Sequence, residues 1–315
     1  MDKQIKVFVA GSSGLVGSAL VSLLRENSMY QVIATRSKDL NLLDRDETFK
    51  YIDLKKPDLI IDAAAKVGGI MSNNTFPSDF ISQNLQIQTN LIDAAINAQV
   101  EKFVFLGSTC IYPRNCPQPI KEDYLMTGPL EETNSAYAVA KIAGIESVKA
   151  VRKQFGLNWI SLMPTNVYGP NDNFDLKNSH VLPALIRKFI EAKDTSAKNV
   201  EIWGDGSPLR EFIHSRDLAE AIIVASNNYS GPEHLNIGTG EEISIKELVE
   251  LIANLANYKG EIIWNSKMPN GTPRKVVDIS KITALGWKPK ISLESGIEST
   301  LKWFRENKER GLVRL

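Results

Sequence analysis

Three residues have the types and spacing for proton transfer to a carbonyl oxygen. Tyr137 and Lys141 are four residues apart in a segment with helical periodicity, so their side chains share one helix face. With eight tyrosines in the chain, such a spacing arises by chance about as often as not, so its position must carry the argument. A lysine cation favours a phenolate, and Ser108 follows a predicted strand, from where its hydroxyl can donate to a substrate oxygen. The set predicts a proton donor at the carboxyl end of a parallel strand.

A glycine pattern near the start of the sequence fits a dinucleotide. The run 11–17 (GSSGLVG) lies between a strand-like segment, 5–10, and a helical pattern over 15–25. Glycines let the backbone turn sharply and approach a pyrophosphate, and the amides of the following helix stabilise the anion. The alternative is a tight strand-to-helix turn without a ligand. The cofactor contacts predicted here are Gly11, Gly14, Leu15, Val16 and Gly17.

The end of the second predicted strand indicates which dinucleotide binds. An NAD site usually carries an acidic residue there, which binds the ribose 2′-hydroxyl. This sequence has Thr35 and Arg36 instead, and a guanidinium can pair with a 2′-phosphate. We therefore predict NADP(H) as the cofactor. The alternative is that Arg36 is a solvated surface residue.

Apolar runs alternate with helical patterns over the first half of the chain. Strands are predicted over 5–10, 31–35, 59–64, 103–106, 159–162 and 234–237, and helices over 15–25, 85–100, 136–155, 181–192, 216–226, 245–257 and 293–307. This alternation predicts an α/β protein with a Rossmann-type, doubly wound parallel sheet. The rhythm changes near residue 170, which predicts a smaller α/β C-terminal substrate domain. The expected boundaries are 1–170 plus about 213–240 for the NADP-binding domain, and about 171–212 plus 241–315 for the substrate domain.

Composition and charge exclude several classes of protein. The 315 residues are 43% hydrophobic and 23% charged, which is typical of a soluble globular protein. The 37 basic and 37 acidic residues balance, so binding to nucleic acid or to an anionic membrane through overall charge is not expected. The histidines and cysteines form no zinc motif, so no metal site is predicted. No signal peptide or membrane span is recognisable, and we expect a cytoplasmic protein.

Longer runs of sequence carry a family resemblance. They are 65–70 (AKVGGI), 108–113 (STCIYP), 164–170 (PTNVYGP), 179–185 (SHVLPAL), 210–214 (REFIH) and 271–275 (GTPRK). With the Ser-Tyr-Lys set, these runs resemble the extended short-chain dehydrogenase/reductase family and, within it, the GDP-L-fucose synthases. The resemblance covers essentially the whole chain, and its runs are more specific than the glycine pattern.

The resemblance implies a two-stage reaction on GDP-4-keto-6-deoxy-D-mannose. The sugar would be epimerised at C3 and C5 and then reduced at C4 with NADPH, which gives GDP-L-fucose. A homodimer is implied as well, in which helices over 80–100 and 135–153 pair with their copies in a four-helix bundle. The further cofactor contacts that the resemblance implies are Lys141, Pro164, Asn166, Val167 and His180.

Epimerisation needs a base and an acid on opposite faces of the sugar. Cys110 lies two residues after Ser108, and if strand geometry persists, both side chains point to the substrate. A thiol acts as a base near neutral pH only with a lowered pKa, whereas the imidazole of His180 titrates near neutrality. We expect Cys110 to take protons and His180 to return them. The alternatives are a small buried thiol and a histidine bonded to backbone at a helix start, and His214 and His234 are expected to be structural.

Five residues are expected to bind the nucleotide sugar. Arg210 is the candidate for the diphosphate, because a guanidinium binds phosphate oxygens bidentately. Lys188 is a second cation, with a solvated helix face as the alternative, and Trp203 could border the guanine or be a core residue. The resemblance assigns Lys275 to the nucleotide sugar. Asn270 departs from the family's usual Asp before Gly-Thr-Pro, which loosens the expected selection of guanine.

Two other functions fit parts of this pattern. An epimerase or reductase for a related GDP-keto-deoxysugar would use nearly the same residues. A non-catalytic NADP-binding sensor could keep the glycine turn while losing Tyr137, Lys141 or the Cys110–His180 pair, and this sequence keeps them all. A second departure from the family is Ser13, where some relatives have Arg beside the cofactor phosphate. A moderate preference for NADPH over NADH is therefore expected.

Overall fold

The computed structural model describes residues 3–268 and 270–315. Its strands are β1 (Ile5–Ala10), β2 (Tyr30–Ala34), β3 (Leu59–Asp62), β4 (Lys102–Leu106), β5 (Ile160–Pro164), β6 (Asn166–Tyr168), β7 (Asn199–Trp203), β8 (Leu209–Arg210), β9 (Phe212–His214), β10 (Leu235–Ile237), β11 (Ile243–Ser244), β12 (Glu261–Asn265) and β13 (Arg274–Lys275). Its helices are α1 (Leu15–Arg25), α2 (Arg45–Lys55), α3 (Ile70–Thr75), α4 (Pro77–Asn97), α5 (Ser135–Phe155), α6 (Val181–Asp194), α7 (Ser215–Asn228), α8 (Ile245–Leu255), α9 (Ser280–Ala284) and α10 (Leu293–Lys308).

The central sheet has six parallel strands in the order β10-β5-β4-β3-β1-β2. The chain starts at β1 and winds outward to β2, then crosses back to β3 and continues in the other direction. The carboxyl ends of β1 and β3 therefore flank the point where the strand order reverses, and open parallel sheets bind ligands at such a point. The predicted Rossmann-type doubly wound parallel sheet is confirmed.

Side chains alternate along each strand, so the sheet has a core on both faces. Val7 and Ile61 face a core that α1 and α7 complete. Phe8, Ile60 and Phe103 face the opposite core, which is closed by α4 and α5. Because both faces are covered, the apolar strands are buried and the polar site residues collect at the carboxyl edge.

A third core lies outside the central sheet. It gathers buried side chains of α6, α8 and α10, while β7 pairs with β12 and β8 lies between β11 and β13. This region is the α/β part predicted after residue 170, although its boundaries stay a prediction. No helix in residues 3–268 and 270–315 is both long and apolar enough to cross a membrane.

The differences from prediction concern element ends and short elements. The strand predicted over 59–64 ends at Asp62, and the helix predicted over 85–100 begins at Pro77, because proline suits the first turn of a helix. The helix α2 was not predicted, since only Thr48 and Ile52 of its residues are buried and it has no apolar stripe. The strands β6–β9 and β11–β13 are two to five residues long and depend on distant partners, which sequence periodicity does not show.

Candidate active site

The glycine turn lies at the carboxyl ends of β1 and β3. Gly11 has a φ of 72°, and a Cβ there would lie 2.7 Å from the carbonyl oxygen of Ala63, so a larger residue does not fit. The Gly14 amide donates to the Gly11 carbonyl oxygen over 2.9 Å, and Gly17 packs against the same backbone. The helix α1 begins at Leu15 without a side-chain cap. Its first-turn amides, with Val16 next in line, therefore suit an anion.

Arg36 lies beside this turn, just after β2. The Ser12 hydroxyl donates to the carbonyl oxygen of Thr35 over 2.8 Å, which ties the turn to the end of that strand. The Arg36 side chain is 64% exposed, and its Nε donates to a carboxylate oxygen of Asp39 over 3.1 Å. That ion pair uses Nε, and a guanidinium has further donors for a phosphate.

The prediction that strand geometry continues from Ser108 to Cys110 is wrong. The strand β4 ends at Leu106, and Thr109–Ile111 form a short 3-10 helix in which the Ser108 hydroxyl accepts from the Cys110 amide over 3.2 Å. Serine favours such helix starts because its side chain satisfies a free backbone donor. Cys110 still joins the site, since its sulfur accepts a hydrogen bond from Lys275 Nζ over 3.5 Å.

Lys141 is buried between α5 and the end of β4. Its ammonium donates to the carbonyl oxygen of Leu106 over 2.8 Å. The nitrogen lies 4.8 Å from the centre of the Phe105 ring and 5.9 Å from the centre of the Tyr137 ring. Burial lowers the pKa of Lys141 to about 8, and the Asp62 carboxylate acts in the opposite direction. A positive charge is therefore held near the tyrosine at neutral pH.

Tyr137 lies one helical turn before Lys141. Burial raises the pKa of its hydroxyl, Cys110 raises it further, and the Ser108 hydroxyl acts in the opposite direction. The ring packs edge-on against Phe80, with the two ring centres 6.3 Å apart, which fixes its orientation. At neutral pH the phenol is protonated and can donate to an oxygen. The predicted Ser108, Tyr137 and Lys141 therefore lie together.

Two cations lie near Cys110, and one of them, Lys275, also acts on His180. The parallel pairing of β8 and β13 places Lys275 directly beside Arg210. Burial lowers the pKa of Arg210, and Cys110 acts in the opposite direction. His180 precedes α6 and is an exposed residue, while partial desolvation of the ring and the Lys275 ammonium lower its pKa. The predicted base Cys110 and the predicted ligands Arg210 and Lys275 therefore lie together, and the charge of Lys275 connects the predicted acid, His180, to them.

The residues expected near the guanine of the nucleotide sugar lie around the end of β7. Trp203 is 45% exposed. The side-chain oxygen of Asn270 accepts from the Asp205 amide over 2.9 Å, so that oxygen is used within the protein. Lys188 donates to the carbonyl oxygen of Glu201 over 3.1 Å. Lys188 therefore lies on α6, with its ammonium bonded to the backbone of β7.

Three predicted cofactor contacts lie where β5 passes into β6. Pro164 ends β5, and Asn166 and Val167 begin β6. The Asn166 side-chain nitrogen donates to the carbonyl oxygen of Glu211 over 2.8 Å. This segment is at the carboxyl edge of the central sheet, on the same side as the glycine turn.

Glu211 is a buried part of the site's framework that sequence reasoning missed. Its exposure is 0%, and its carboxylate accepts from the backbone amides of Thr239, Gly240 and Val277 over 2.6, 2.7 and 2.9 Å. Burial raises the pKa of Glu211, and these amides act in the opposite direction. The residue fixes the backbone next to Arg210. The available signal was an acidic residue in the run REFIH, placed between Arg210 and the apolar Phe212.

Asp62 is a second buried carboxylate that sequence reasoning missed. It ends β3 at the same sheet edge and is 1% exposed. Burial raises its pKa to about 6, while Lys141 and the Ala64 amide act in the opposite direction. One acidic residue closing the apolar run LIID was the available signal.

The two remaining histidines take framework positions. His214 precedes α7, and its Nδ1 accepts from the Arg216 amide over 3.2 Å. The Nε2 of His234 lies 2.9 Å from the Tyr112 hydroxyl, and burial lowers the pKa of His234 to about 4. Within the described ranges, no three His, Cys, Asp or Glu side chains are grouped so that they could hold a metal ion.

Comparison with known proteins gives the family. Residues 7–238 match the NAD dependent epimerase/dehydratase family. That stretch includes the glycine turn, the Ser-Tyr-Lys set, Cys110 and His180. The chain belongs to this family. The predicted resemblance to extended dehydrogenase/reductase proteins is confirmed.

Several GDP-L-fucose synthases match nearly the whole chain. The chain is 53% identical over 307 residues to a probable GDP-L-fucose synthase 1 of Oryza sativa subsp. japonica, with 97% of this chain and 94% of the relative covered. It is 44% identical to the GDP-L-fucose synthase of Escherichia coli (strain K12), with 98% and 99% covered. The crystal structure of a GDP-L-fucose synthetase from Naegleria fowleri bound to NADP has a TM-score of 0.90 at 27% identity, covering 100% of this chain and 98% of that chain.

Proposed function

We propose that this protein is an NADPH-dependent GDP-L-fucose synthase. It converts GDP-4-keto-6-deoxy-D-mannose to GDP-L-fucose by epimerisation at C3 and C5 and reduction at C4. The observation that carries the proposal is the hydrogen bond between the Lys275 ammonium and the Cys110 sulfur, in a group that also holds Ser108 and Tyr137. The charge of Lys275 acts on His180 as well. A ketone reductase needs only Ser108 and Tyr137 from this group. The Cys110 thiol and the His180 imidazole provide a base and an acid for epimerisation. Near-complete coverage of the synthases by this chain supports the same activity.

The residues at the glycine turn fit NADPH. Gly11 lets the turn pack tightly against the backbone of Ala63 and Ala64, and the uncapped first turn of α1 that follows offers amide donors to a pyrophosphate. Arg36 has donors beyond the one used by Asp39 and would hold the 2′-phosphate. NADPH, when bound, supplies the hydride for C4. The proposed contacts are Gly11, Gly14, Leu15, Val16, Gly17, Arg36, Lys141, Pro164, Asn166, Val167 and His180.

Epimerisation begins at the carbons next to the ketone. Their hydrogens are acidic because the resulting negative charge moves onto the ketone oxygen, where Ser108 and Tyr137 donate hydrogen bonds. The Cys110 thiolate forms an S–H bond as the C–H bond breaks. His180 then returns a proton to the opposite face. The lowered pKa leaves this imidazole neutral at rest, and the negative diphosphate of the incoming substrate would favour its protonated form.

Reduction uses the same oxygen-binding pair. Tyr137 gives its proton to the C4 oxygen as the ketone becomes an alcohol, and the Lys141 ammonium stabilises the phenolate that remains. Ser108 holds the oxygen in place throughout. One oxygen site therefore serves both stages, which removes any need to move the sugar between two sites.

The nucleotide half of the substrate is assigned to the smaller domain. We propose that residues of about 171–212 and 241–315 bind GDP, and that residues 1–170 with about 213–240 bind NADPH. Arg210 and Lys275 face the diphosphate, and Trp203, with its exposed ring, borders the guanine. Asn270 presents its amide nitrogen to the base, because its oxygen is bonded to Asp205. Lys188 supports the backbone of β7 below Trp203.

We propose a homodimer formed by α4 and α5. The two helices pack on each other, and Val139 on the outer face of α5 is 44% exposed. Pairing with a second copy would cover this face and form a four-helix bundle. Light scattering is expected to give twice the mass of one chain. The mass of a single chain at micromolar concentration contradicts the dimer.

One incubation tests the proposed activity. The protein is mixed with GDP-4-keto-6-deoxy-D-mannose and NADPH in deuterated buffer, and the product is examined by NMR. Deuterium at C3 and C5 together with the L-fuco configuration is expected. An incubation without NADPH is the control, in which deuterium enters but the ketone remains.

Other outcomes separate the alternatives. Reduction without deuterium at either carbon would mean a simple keto-sugar reductase, and Cys110 and His180 would then have no part in proton transfer. Deuterium at one carbon alone would indicate a related GDP-keto-deoxysugar as the substrate. NADPH binding with no turnover of any keto-sugar would mean a non-catalytic NADP-binding sensor.

A further inference from the structure

A buried carboxylate at the sheet edge has no role in the reaction as described so far. Asp62 is 1% exposed. One of its oxygens, Oδ1, accepts from the Ala64 amide over 3.2 Å. The other, Oδ2, has no hydrogen-bond partner among residues 3–268 and 270–315. A buried charge with an unpaired oxygen destabilises a fold, so this residue requires a physical explanation.

Strand register places Asp62 under the proton-donating helix. The side chain of Ile60 faces the core that α5 covers, and Asp62, two residues later, faces the same side. Its register partner on β4 is Phe105, whose ring centre is 4.8 Å from Lys141 Nζ. Asp62 and Lys141 therefore lie over neighbouring strands at one edge of the sheet.

We propose that Asp62 is a positioning residue, whose carboxylate holds the positive charge of Lys141 beside Tyr137. The inference rests on the proposed reductase activity, because it concerns the proton donor of that reaction. Asp62 does not touch the substrate in this proposal. Its effect passes through Lys141, which favours the phenolate of Tyr137 as the proton leaves.

The charged groups around Lys141 single out this carboxylate. On α5, the Tyr137 ring centre lies 5.9 Å from the ammonium, and the contacts from β4 are to the uncharged Phe105 and Leu106. The helix α4 contributes the neutral Gln88, which donates to the Ala140 carbonyl oxygen. In the part of the chain that the structure describes, Asp62 is the carboxylate that acts on Lys141.

The two groups are both charged over a limited pH range. Burial raises the pKa of Asp62 to about 6 and lowers the pKa of Lys141 to about 8, and each charge opposes the shift of the other. Removing the carboxylate leaves the lysine with its desolvation alone. Lys141 then loses its proton at lower pH, and Tyr137 loses its neighbouring cation there too.

The test follows the ionisation of Lys141 directly in the protein without cofactor. Lysine labelled with ¹³C at Cε is incorporated, and the Lys141 signal is assigned by its loss in Lys141→Met. The Asp62→Asn variant keeps the acceptor for the Ala64 amide. In this variant, the midpoint of the Lys141 titration is expected to fall by about one pH unit, a tenfold change in the ionisation constant. In Asp62→Glu, the midpoint should move back toward the wild-type value.

Kinetics give the second readout. The alkaline limb of kcat for reduction is expected to move to lower pH by the same amount in Asp62→Asn, with little change in KM. The matched control is Asp217→Asn, another buried aspartate, which accepts from the Lys290 and Ile291 amides far from the site. That variant is expected to lose stability without moving the Lys141 midpoint.

Two results would overturn the proposal. The first is an unchanged Lys141 midpoint in folded Asp62→Asn. The second needs no variant: in the wild-type protein, the Lys141 signal should move a second time near pH 6, when Asp62 takes up its proton, and a single step contradicts the coupling. Coupling of the two groups without turnover of the keto-sugar would refute the proposed function and leave the Asp62–Lys141 pair standing.

Discussion

The Lys275 ammonium and the Cys110 sulfur are 3.5 Å apart, with the nitrogen as the donor. One residue comes from β13 and the other from the 3-10 helix after β4, so the fold alone brings them together. A positive charge there attracts the negative charge of a thiolate, which is the form of cysteine that removes a proton. Desolvation and the same ammonium lower the pKa of His180. Lys275 therefore acts on both members of the proposed acid–base pair.

Replacing Lys275 by Met should slow epimerisation. The variant removes the charge and keeps the length of the side chain, so deuterium incorporation at C3 and C5 is expected to slow by about ten- to a hundredfold. Arg274→Met is the matched control, because this neighbour pairs with Glu242 at the surface. It should exchange at the wild-type rate. Equal exchange in K275M and the wild type would rule out the proposed role of the ammonium.

Cys110→Ser tests the base itself. A hydroxyl is a much weaker base than a thiolate, so deuterium incorporation is expected to fall by at least about a hundredfold. The reverse of the reduction, oxidation of GDP-L-fucose with NADP⁺, should remain because Tyr137 and Lys141 are unchanged. The control is Cys116→Ser, the other free thiol, which is also partly buried. If C110S exchanges both protons at the full rate, the base is another group.

The fold could be predicted from the sequence where local pattern and tertiary role agree. The strand β1 and the helix α1 carry strong apolar patterns around the glycine turn, and their ends were predicted to the residue. The strands β8 and β13 are two residues each and form only through pairing with strands distant in sequence, β13 with β8 and β8 also with β11. Since no local pattern marks a two-residue strand, the neighbours Arg210 and Lys275 could be predicted as separate ligands but not as a pair.

Site residues could be predicted from the sequence where they lie in recognisable sequence motifs. Ser108 and Cys110 were placed together for the wrong geometric reason, because the strand ends at Leu106 and the Ser108 hydroxyl caps a short 3-10 helix that holds Cys110. Asp62 and Glu211 were missed because each gains its role from backbone amides or charges distant in sequence. A buried carboxylate looks like any surface acid until its burial is known.

Arg36 should decide the preference for NADPH. Arg36→Ala is expected to weaken NADPH binding by about tenfold and to leave NADH unchanged, because only NADPH carries the 2′-phosphate. Asp39→Asn should tighten NADPH binding, since the carboxylate that now occupies Nε is neutralised. Fluorescence titration of both cofactors measures this. Arg25→Ala, at the far end of α1, is the control, and an equal loss for both cofactors in R36A would exclude a 2′-phosphate contact.

Replacing Glu211 should destabilise the folded protein. Its two carboxylate oxygens accept from three backbone amides, and Glu211→Gln replaces one acceptor by an NH₂ group that faces a donor. The expected loss is about 2–4 kcal/mol in the free energy of unfolding, because buried amides lose a charged acceptor. Denaturant unfolding measures it, with the exposed Glu241→Gln as control.

The same variant also reports on the substrate site. The carbonyl oxygen of Glu211 accepts a hydrogen bond from Asn166, and Glu211 directly follows Arg210 in the chain. A looser Glu211 therefore disturbs both proposed ligands. At a temperature where E211Q is still folded, the KM for the GDP-sugar should rise more than kcat falls, because the chemistry stays with Tyr137 and Cys110. A variant as stable as the wild type would show that the three amides are satisfied equally well by a neutral side chain.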